Sequence, residues 1–167
     1  RRQRQMCIRD SSNEVFMITN PGEINLDIAL KICQEAIKKA RIENFTPLTV
    51  TVVDVAGVIR ATLAEDGSGL QRADVAYAKA WTCIAYGIST TMARTILEEQ
   101  PRLDKAFTGM QTLSNGKLIP TPGGLLIQTS NKNIGAIGIS GDRSDEDEIC
   151  AVAAIEACGL IPGHKAI

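Results

Sequence analysis

The residues best suited to chemistry are a lysine set between alanines and a run of acids near the end of the chain. Lys79 stands in a stretch with helical periodicity, and residues 145–148 are all acidic. Small neighbours favour burial of the lysine, and a buried ammonium needs a carboxylate partner. Asp147 or Glu148 could supply it. Lys79 therefore either forms a structural ion pair, with the last helix or across a subunit boundary, or faces the carboxylate of a ligand.

The same side chains support a catalytic hypothesis for a cofactor-independent enzyme. Lys79 would orient the carboxylate of a small oxygenated acid. Asp147 or Glu148 would transfer a proton, because burial or the neighbouring acid raises the pKa of a carboxyl. The amides of Gly123 and Gly124 would stabilise developing negative charge. Lys79, Asp147 and Glu148 are thus the candidate catalytic residues.

Glycine-rich turns and isolated polar side chains supply the candidate ligand-binding residues. The loop at 65–69 either offers amides to an anion or is a plain turn. Glycines within 134–141 leave room for another backbone or a ligand. An arginine on a predicted strand is either a solvated residue or a carboxylate clamp. These candidates are Arg60, Asp66, Gly67, Thr82, Gly123, Gly124, Ser140 and Gly141.

Composition and charge exclude several function classes. The chain has 167 residues and a net charge of -1, without a basic patch or an acidic tail, so nucleic acid and anionic membranes are poor partners. No apolar run approaches the roughly 18 residues of a membrane span. The single histidine, His164, makes a metal cluster or a Ser-His-Asp triad improbable unless the tail folds back, and no metal site is predicted.

The cysteines indicate a reducing compartment. None of the five forms a C-x-x-C pair, and four fall on predicted helices, which is typical of reduced, buried thiols. We therefore expect a cytoplasmic protein, unless an export signal has been lost from the natural start. The cysteines are Cys7, Cys33, Cys83, Cys150 and Cys158.

The elements that position these residues follow from caps and periodicity. We predict a helix from the N-cap Asn25, a hairpin of strands 48–54 and 58–63, helices at 71–86 and 90–99, a hairpin of strands 123–127 and 134–141, and a helix at 145–158. Residues 102–118 are the least regular part, and such a long loop is often a lid or an interface. Ser144 is predicted to cap the last helix, with Asp147 as the capping-box acid.

The first residues do not resemble the remainder of the chain. Residues 1–10 have no periodicity and resemble translated sequencing adapter of the kind found at the ends of metagenomic reads. We expect segment 1–11 to be disordered and residues 12–167 to form a single domain.

Motifs in a consistent order resemble the GlcG/HbpS family, the haem-binding-type domain that also ends PduO-type cobalamin adenosyltransferases. Residues 135–141, Gly-Ala-Ile-Gly-Ile-Ser-Gly, are similar to the family's Gly-Ala-Ile-Gly-Val-Ser-Gly, and Asp147-Glu148 to its Gln-Asp-Glu. Residues 79–82, Lys-Ala-Trp-Thr, resemble its Lys-Ala-x-Thr motif. The resemblance covers about residues 26–159.

The resemblance implies an α+β fold with an antiparallel sheet of about five strands, helices packed on it and a profilin-like layered arrangement. It also implies a homo-oligomer and a small ligand, either a tetrapyrrole (haem or corrinoid) or a small carboxylic acid. The cofactor stays unknown, since no internal histidine could ligate haem iron; Thr82, Thr90 and Thr121 would be weak ligands and Cys83 a thiolate ligand. The alternatives are the enzyme described above and an accessory or scaffold subunit.

Overall fold

The structure, a computed structural model, describes residues 24–167 and contains one five-stranded antiparallel sheet. The strand order is β2-β1-β4-β3-β5. The strands are β1 (Thr49–Asp54), β2 (Ile59–Ala64), β3 (Gly124–Gln128), β4 (Asn133–Ser140) and β5 (Ile161–Gly163). This is the α+β fold class expected from the sequence, and the two predicted hairpins are both present.

Helices cover both faces of the sheet. The helices are α1 (Leu26–Glu43), α2 (Arg72–Tyr86), α3 (Thr90–Glu99), α4 (Asp104–Leu113) and α5 (Ser144–Ala157). The main core lies between the sheet and the pair α1 and α5. A smaller core lies on the opposite face, where α2 packs against β1, β3 and β4. The domain therefore has three layers, with α3 and α4 beside α2.

Burial explains the strand sequences. All residues of β1 are buried, which fits its β-branched composition because both of its faces are covered. The edge strand β2 is mostly exposed. The other edge, β5, is only three residues long and contains Pro162, which cannot donate to a further strand. Both features protect the sheet edge from pairing with another chain.

The predicted helix cap at Asn25 is confirmed, Ser89 caps α3 in the same way, and the predicted cap at Ser144 is wrong. The side chains of Asn25 and Ser89 accept hydrogen bonds from Ile28 N and Met92 N. Ser144 is instead the first helical residue of α5, which has no side-chain cap bond at its start. An acidic first turn replaces the cap, since negative charge there complements the helix dipole.

The prediction of an irregular stretch at 102–118 is wrong. A short 3₁₀ turn and α4 occupy residues 101–113. Asn115 and Gly116, which look like a hairpin turn, have positive φ angles of 53° and 76° and follow the end of α4. Segment 1–11, predicted to be disordered, lies outside the described residues. Within residues 24–167, no helix is long and apolar enough to span a membrane.

Candidate functional site

Lys79 and Asp147 form an ion pair inside the protein. Lys79 Nζ lies 2.7 Å from Asp147 Oδ2 and donates to the carbonyl of Ile139 at 2.6 Å. Both side chains are 2% exposed. The other carboxylate oxygen of Asp147 accepts from the amide of Asp142 at 3.2 Å. The structure thus brings together two of the three predicted catalytic residues, as a pair joining α2 to α5.

The glycine pair, Gly123 and Gly124, lies beside the ion pair, and Gly123 packs closely against both of its side chains. Gly123 has a φ of 108°, and a Cβ there would lie 2.7 Å from Asp147 Cβ and 2.9 Å from Lys79 Nζ. The amide of Gly124 donates to Thr90 Oγ1 at 2.9 Å, so it does not await an oxyanion. A ligand carboxylate would have to displace Asp147 to reach Lys79.

Burial and pairing act in opposite directions on these two groups. Burial lowers the pKa of Lys79, and the charge of Asp147 opposes the shift. Burial likewise raises the pKa of Asp147, and the charge of Lys79 opposes that shift. The contacts with the carbonyl of Ile139 and the amide of Asp142 favour the charged pair, because the ammonium and the carboxylate each have a second partner there.

Glu148, the third predicted catalytic residue, faces a different region. Successive helical residues point about 100° apart, so Glu148 projects away from the ion pair. Its carboxylate accepts a hydrogen bond from the hydroxyl of Thr91, in the first turn of α3. This contact joins α5 to α3 at the edge of a groove.

The groove has a volume of about 520 Å³ and runs along the outer face of α5. Its walls combine apolar side chains with carboxylates and one lysine. Lys39, which pairs with Glu43, comes from α1. The lining residues are Lys39, Thr91, Pro122, Asp145, Glu148, Ile149, Val152, Ala153 and Glu156.

Arg60, Asp66 and Gly67 do not line this groove. Arg60 pairs with Asp54 at 2.6 Å, and Asp54 also accepts hydrogen bonds from two amides of the β1–β2 turn. Gly67 has a φ of 87° in an exposed turn beside Pro47. Arg60 therefore stabilises the β1–β2 hairpin through this ion pair.

The remaining predicted ligand-binding residues make internal contacts. Thr82 Oγ1 donates to Ala78 O at 2.8 Å and accepts from Ile119 N at 2.9 Å, so it holds the segment before β3. Ser140 is buried and contacts an Arg72 guanidinium nitrogen at 3.2 Å. A Cβ on Gly141 would lie 2.5 Å from the carbonyl of Pro47, which shows a close backbone approach.

The described thiols and the histidine do not form a reactive centre. Burial raises the pKa of Cys33, Cys83 and Cys150 to about 12, and Cys83 lies in the core between α2 and the sheet, not in the groove. The tail does fold back: His164 Nδ1 lies 3.0 Å from Ser89 Oγ. Ser89, however, is buried and caps α3. In residues 24–167, no cluster of three or more His, Cys, Asp or Glu could hold a metal ion.

Sequence reasoning missed most of the groove. Its apolar wall comes from Ile149, Val152 and Ala153, at helical spacings of three and four residues. That spacing was the available signal, but an alanine-rich helix shows apolar residues on several faces. Pro122 and Lys39 come from distant segments, and only the folded chain brings them to α5.

The family profile described as "Haem degrading protein HbpS-like" matches residues 24–156. The chain belongs to the HbpS-like family. The resemblance inferred from the motifs is therefore confirmed. The matched residues include the lining of the groove, the ion pair and both hairpins.

Relatives of known name agree with this membership. The chain is 27% identical over 142 residues to the corrinoid adenosyltransferase PduO of Salmonella typhimurium, covering 85% of this chain but 41% of that protein. The crystal structure of the PduOC:heme complex matches with a TM-score of 0.75 and 25% identity, over 84% of this chain and 99% of that chain. The crystal structure of HbpS shares the fold, with a TM-score of 0.69, 24% identity, and coverage of 84% and 93%.

Proposed function

We propose that this HbpS-like protein binds a metallo-tetrapyrrole such as haem in the groove along α5. The observation that carries the proposal is the groove itself. Its volume of about 520 Å³ lies within the range of roughly 300–1,000 Å³ usual for small-molecule sites. A family described as haem-degrading and a similar structure crystallised with heme support this ligand class.

The lining residues fit a flat, largely apolar macrocycle. Pro122, Ile149 and Val152 provide apolar contact area. Thr91 and Glu148 provide oxygen atoms, and Lys39 provides a cation for a propionate. Haem would supply a Lewis-acidic iron that accepts an oxygen ligand. Since the lining includes no imidazole or thiolate, Thr91 or Glu148 would have to hold the iron through an oxygen atom, and we expect a high-spin spectrum.

A free small acid fits the groove less well. Its walls carry the carboxylates of Asp145, Glu148 and Glu156 against the single ammonium of Lys39. The net negative charge of these walls repels an anion, and a small acid has no apolar part whose burial would compensate for that repulsion. The enzyme hypothesis also depended on an accessible Lys79, and that ammonium is 2% exposed and paired with Asp147.

The first experiment is a haemin titration of the purified chain followed by absorption spectroscopy. Ile149→Arg places a charged side chain in the apolar wall and should abolish the Soret shift at stoichiometric haemin. Ile59→Arg is the matched control, because Ile59 on β2 is 49% exposed and Ile149 is 48% exposed. The control should bind haemin like the unmodified protein.

Two outcomes would overturn the proposal. Unmodified protein that adsorbs haemin without saturation would favour the accessory or scaffold alternative. Equal binding by Ile149→Arg and Ile59→Arg would place the haem elsewhere. A small-acid ligand predicts a third pattern, in which native mass spectrometry finds an acidic adduct and haemin does not compete with it.

We also propose that the protein forms a homo-oligomer. Native mass spectrometry of the same sample, with and without haemin, measures the number of chains and of haem groups together. A defined oligomer with a fixed ratio of haem to chain supports it, and a monomer at all concentrations contradicts it.

A further inference from the structure

The stripe of α5 that faces the groove has acids at both ends and apolar side chains between them. Its members recur at spacings of four, three and four residues, which places them on one face of the helix. They are Asp145, Ile149, Val152 and Glu156. At 1.5 Å per residue, roughly 16 Å of helix axis separates the two acids. An apolar ligand that lies on Ile149 and Val152 therefore has a carboxylate at each end.

In the part of the chain that the structure describes, a single cation lines the groove, and it already has a partner. Lys39 comes from α1 and forms an ion pair with Glu43. An ammonium has three donors, so Lys39 can bind a further carboxylate at the same time. The carboxylates of the lining are those of Asp145, Glu148 and Glu156. Such a surface attracts a negative group beside Lys39 and repels it elsewhere.

Tetrapyrroles differ in where their carboxylates lie, and this charge pattern distinguishes among them. Haem carries its two propionates on one edge, and the opposite edge has only vinyl and methyl groups. It can rest that apolar edge on Ile149 and Val152 and turn the acidic edge toward Lys39 or solvent. Iron coproporphyrin has the same ring, with propionates in place of both vinyl groups. Whichever edge lies on α5 then brings a propionate toward Asp145 or Glu156, where like charges repel.

We propose that Asp145 and Glu156 make the groove selective for tetrapyrroles whose carboxylates lie on one edge, and disfavour those with carboxylates around the ring. This inference rests on the proposed binding of a tetrapyrrole and adds the residues that select among such ligands. The two acids act through their charge at the ends of the apolar stripe, and Lys39 orients the acidic edge. Both acids are thus specificity-determining residues and need not contact the iron.

Haemin and iron coproporphyrin are the probes, because they differ only by two vinyl groups against two propionates. Absorption titrations of the full chain measure both affinities. Asp145→Asn and Glu156→Gln should each tighten iron coproporphyrin binding by about two- to fivefold, the effect of one exposed charge, and leave haemin binding within about twofold. Glu99→Gln is the matched control, since Glu99 is exposed at the end of α3 and does not line the groove. It should change neither affinity.

Salt distinguishes selection by charge from selection by shape. At about 1 M salt the Debye length falls to about 3 Å, so the unmodified protein should approach the weaker preference of the double variant Asp145→Asn, Glu156→Gln. A preference for haemin that neither salt nor the double variant reduces would overturn the inference, because a steric limit does not depend on charge. Equal affinity for the two probes would also overturn it, although saturable haemin binding would keep the proposed function. If haemin does not saturate the protein, the proposed function fails, and this inference with it.

Discussion

At the scale of single residues, the pair Lys79–Asp147 is best understood as part of the structure. Removing an ion from water is unfavourable, and the attraction of a close partner compensates only when further hydrogen bonds complete the geometry. Ile139 and Asp142 provide those bonds through their main chains. The pair therefore fixes the first turn of α5, and with it the direction in which Glu148 projects.

Removal of one partner should reveal this role. Lys79→Met leaves the Asp147 charge buried without its ammonium, so we expect a loss of about 3–5 kcal/mol in the free energy of unfolding. Lys79→Met combined with Asp147→Asn should recover much of that loss. Urea denaturation measures all three proteins. Glu148→Gln is the control and should change stability by no more than about 1 kcal/mol. A stable Lys79→Met protein would contradict the structural role.

The buried thiols give a second residue-scale prediction. With pKa values of about 12, Cys33, Cys83 and Cys150 carry almost no thiolate at neutral pH. Iodoacetamide should modify them only after the protein unfolds, whereas Cys158 is half-buried and should react sooner. Peptide mapping by mass spectrometry after timed alkylation measures each rate. Fast native labelling of Cys83 would show that α2 opens.

At the scale of elements, α2 packs directly on the backbone of β4. A Cβ on Gly138 would lie 2.0 Å from the carbonyl of Ala76 and 2.6 Å from the amide of Ala80. The helix and strand therefore approach more closely than any side chain at 138 would permit. This contact holds Lys79, on the same helix, next to the end of β4.

Two glycine substitutions should have opposite effects. Gly138→Ala should lower the free energy of unfolding by about 3 kcal/mol or more, because backbone atoms must move apart. Gly109→Ala lies within α4, has no atom within 4 Å of the added Cβ, and should raise stability by roughly 0.5–1 kcal/mol through helix propensity. Thermal and urea unfolding compare the two. A neutral Gly138→Ala would contradict the close packing of α2 on β4.

Elements with strong local signals were predictable, and the others were not. Asn25, Ser89 and the β-branched β1 each specify their structure locally. Helix α4 contains Gly109 and two β-branched threonines, so its helix propensity is weak and its tertiary contacts decide whether it forms. The ion pair could be proposed from burial of Lys79, but the choice of Asp147 over Glu148, and the closure by Gly123, depend on tertiary geometry.

At the scale of the whole molecule, the carboxylate of Asp142 links two distant loops. One loop joins α1 to β1, and the other joins β4 to α5. Asp142 Oδ2 accepts from the amide of Thr46 at 2.5 Å, and Thr46 Oγ1 donates to the carbonyl of Gly141 at 2.9 Å. These contacts link segments 96 residues apart. They close the end of the domain at which α5 begins, beside the groove.

Acid should loosen this link in a defined pH range. The amide of Thr46 lowers the pKa of Asp142 to about 2 from its ordinary 3.8. A carboxyl with a depressed pKa stabilises the folded state above its unfolded pKa, and that stabilisation disappears as the pH falls from about 4 to about 2. Glu146 beside it behaves oppositely, because its hydrogen bond with Asp142 raises its pKa.

Asp142→Asn removes the titrating group and isolates its contribution. The difference in unfolding free energy between the unmodified protein and Asp142→Asn should be constant near neutral pH and shrink between pH 4 and 2, because only the unmodified protein takes up that proton. Urea denaturation at a series of pH values measures it. A difference that stays constant down to pH 2 would mean that the bond from Thr46 does not depend on the charge of Asp142.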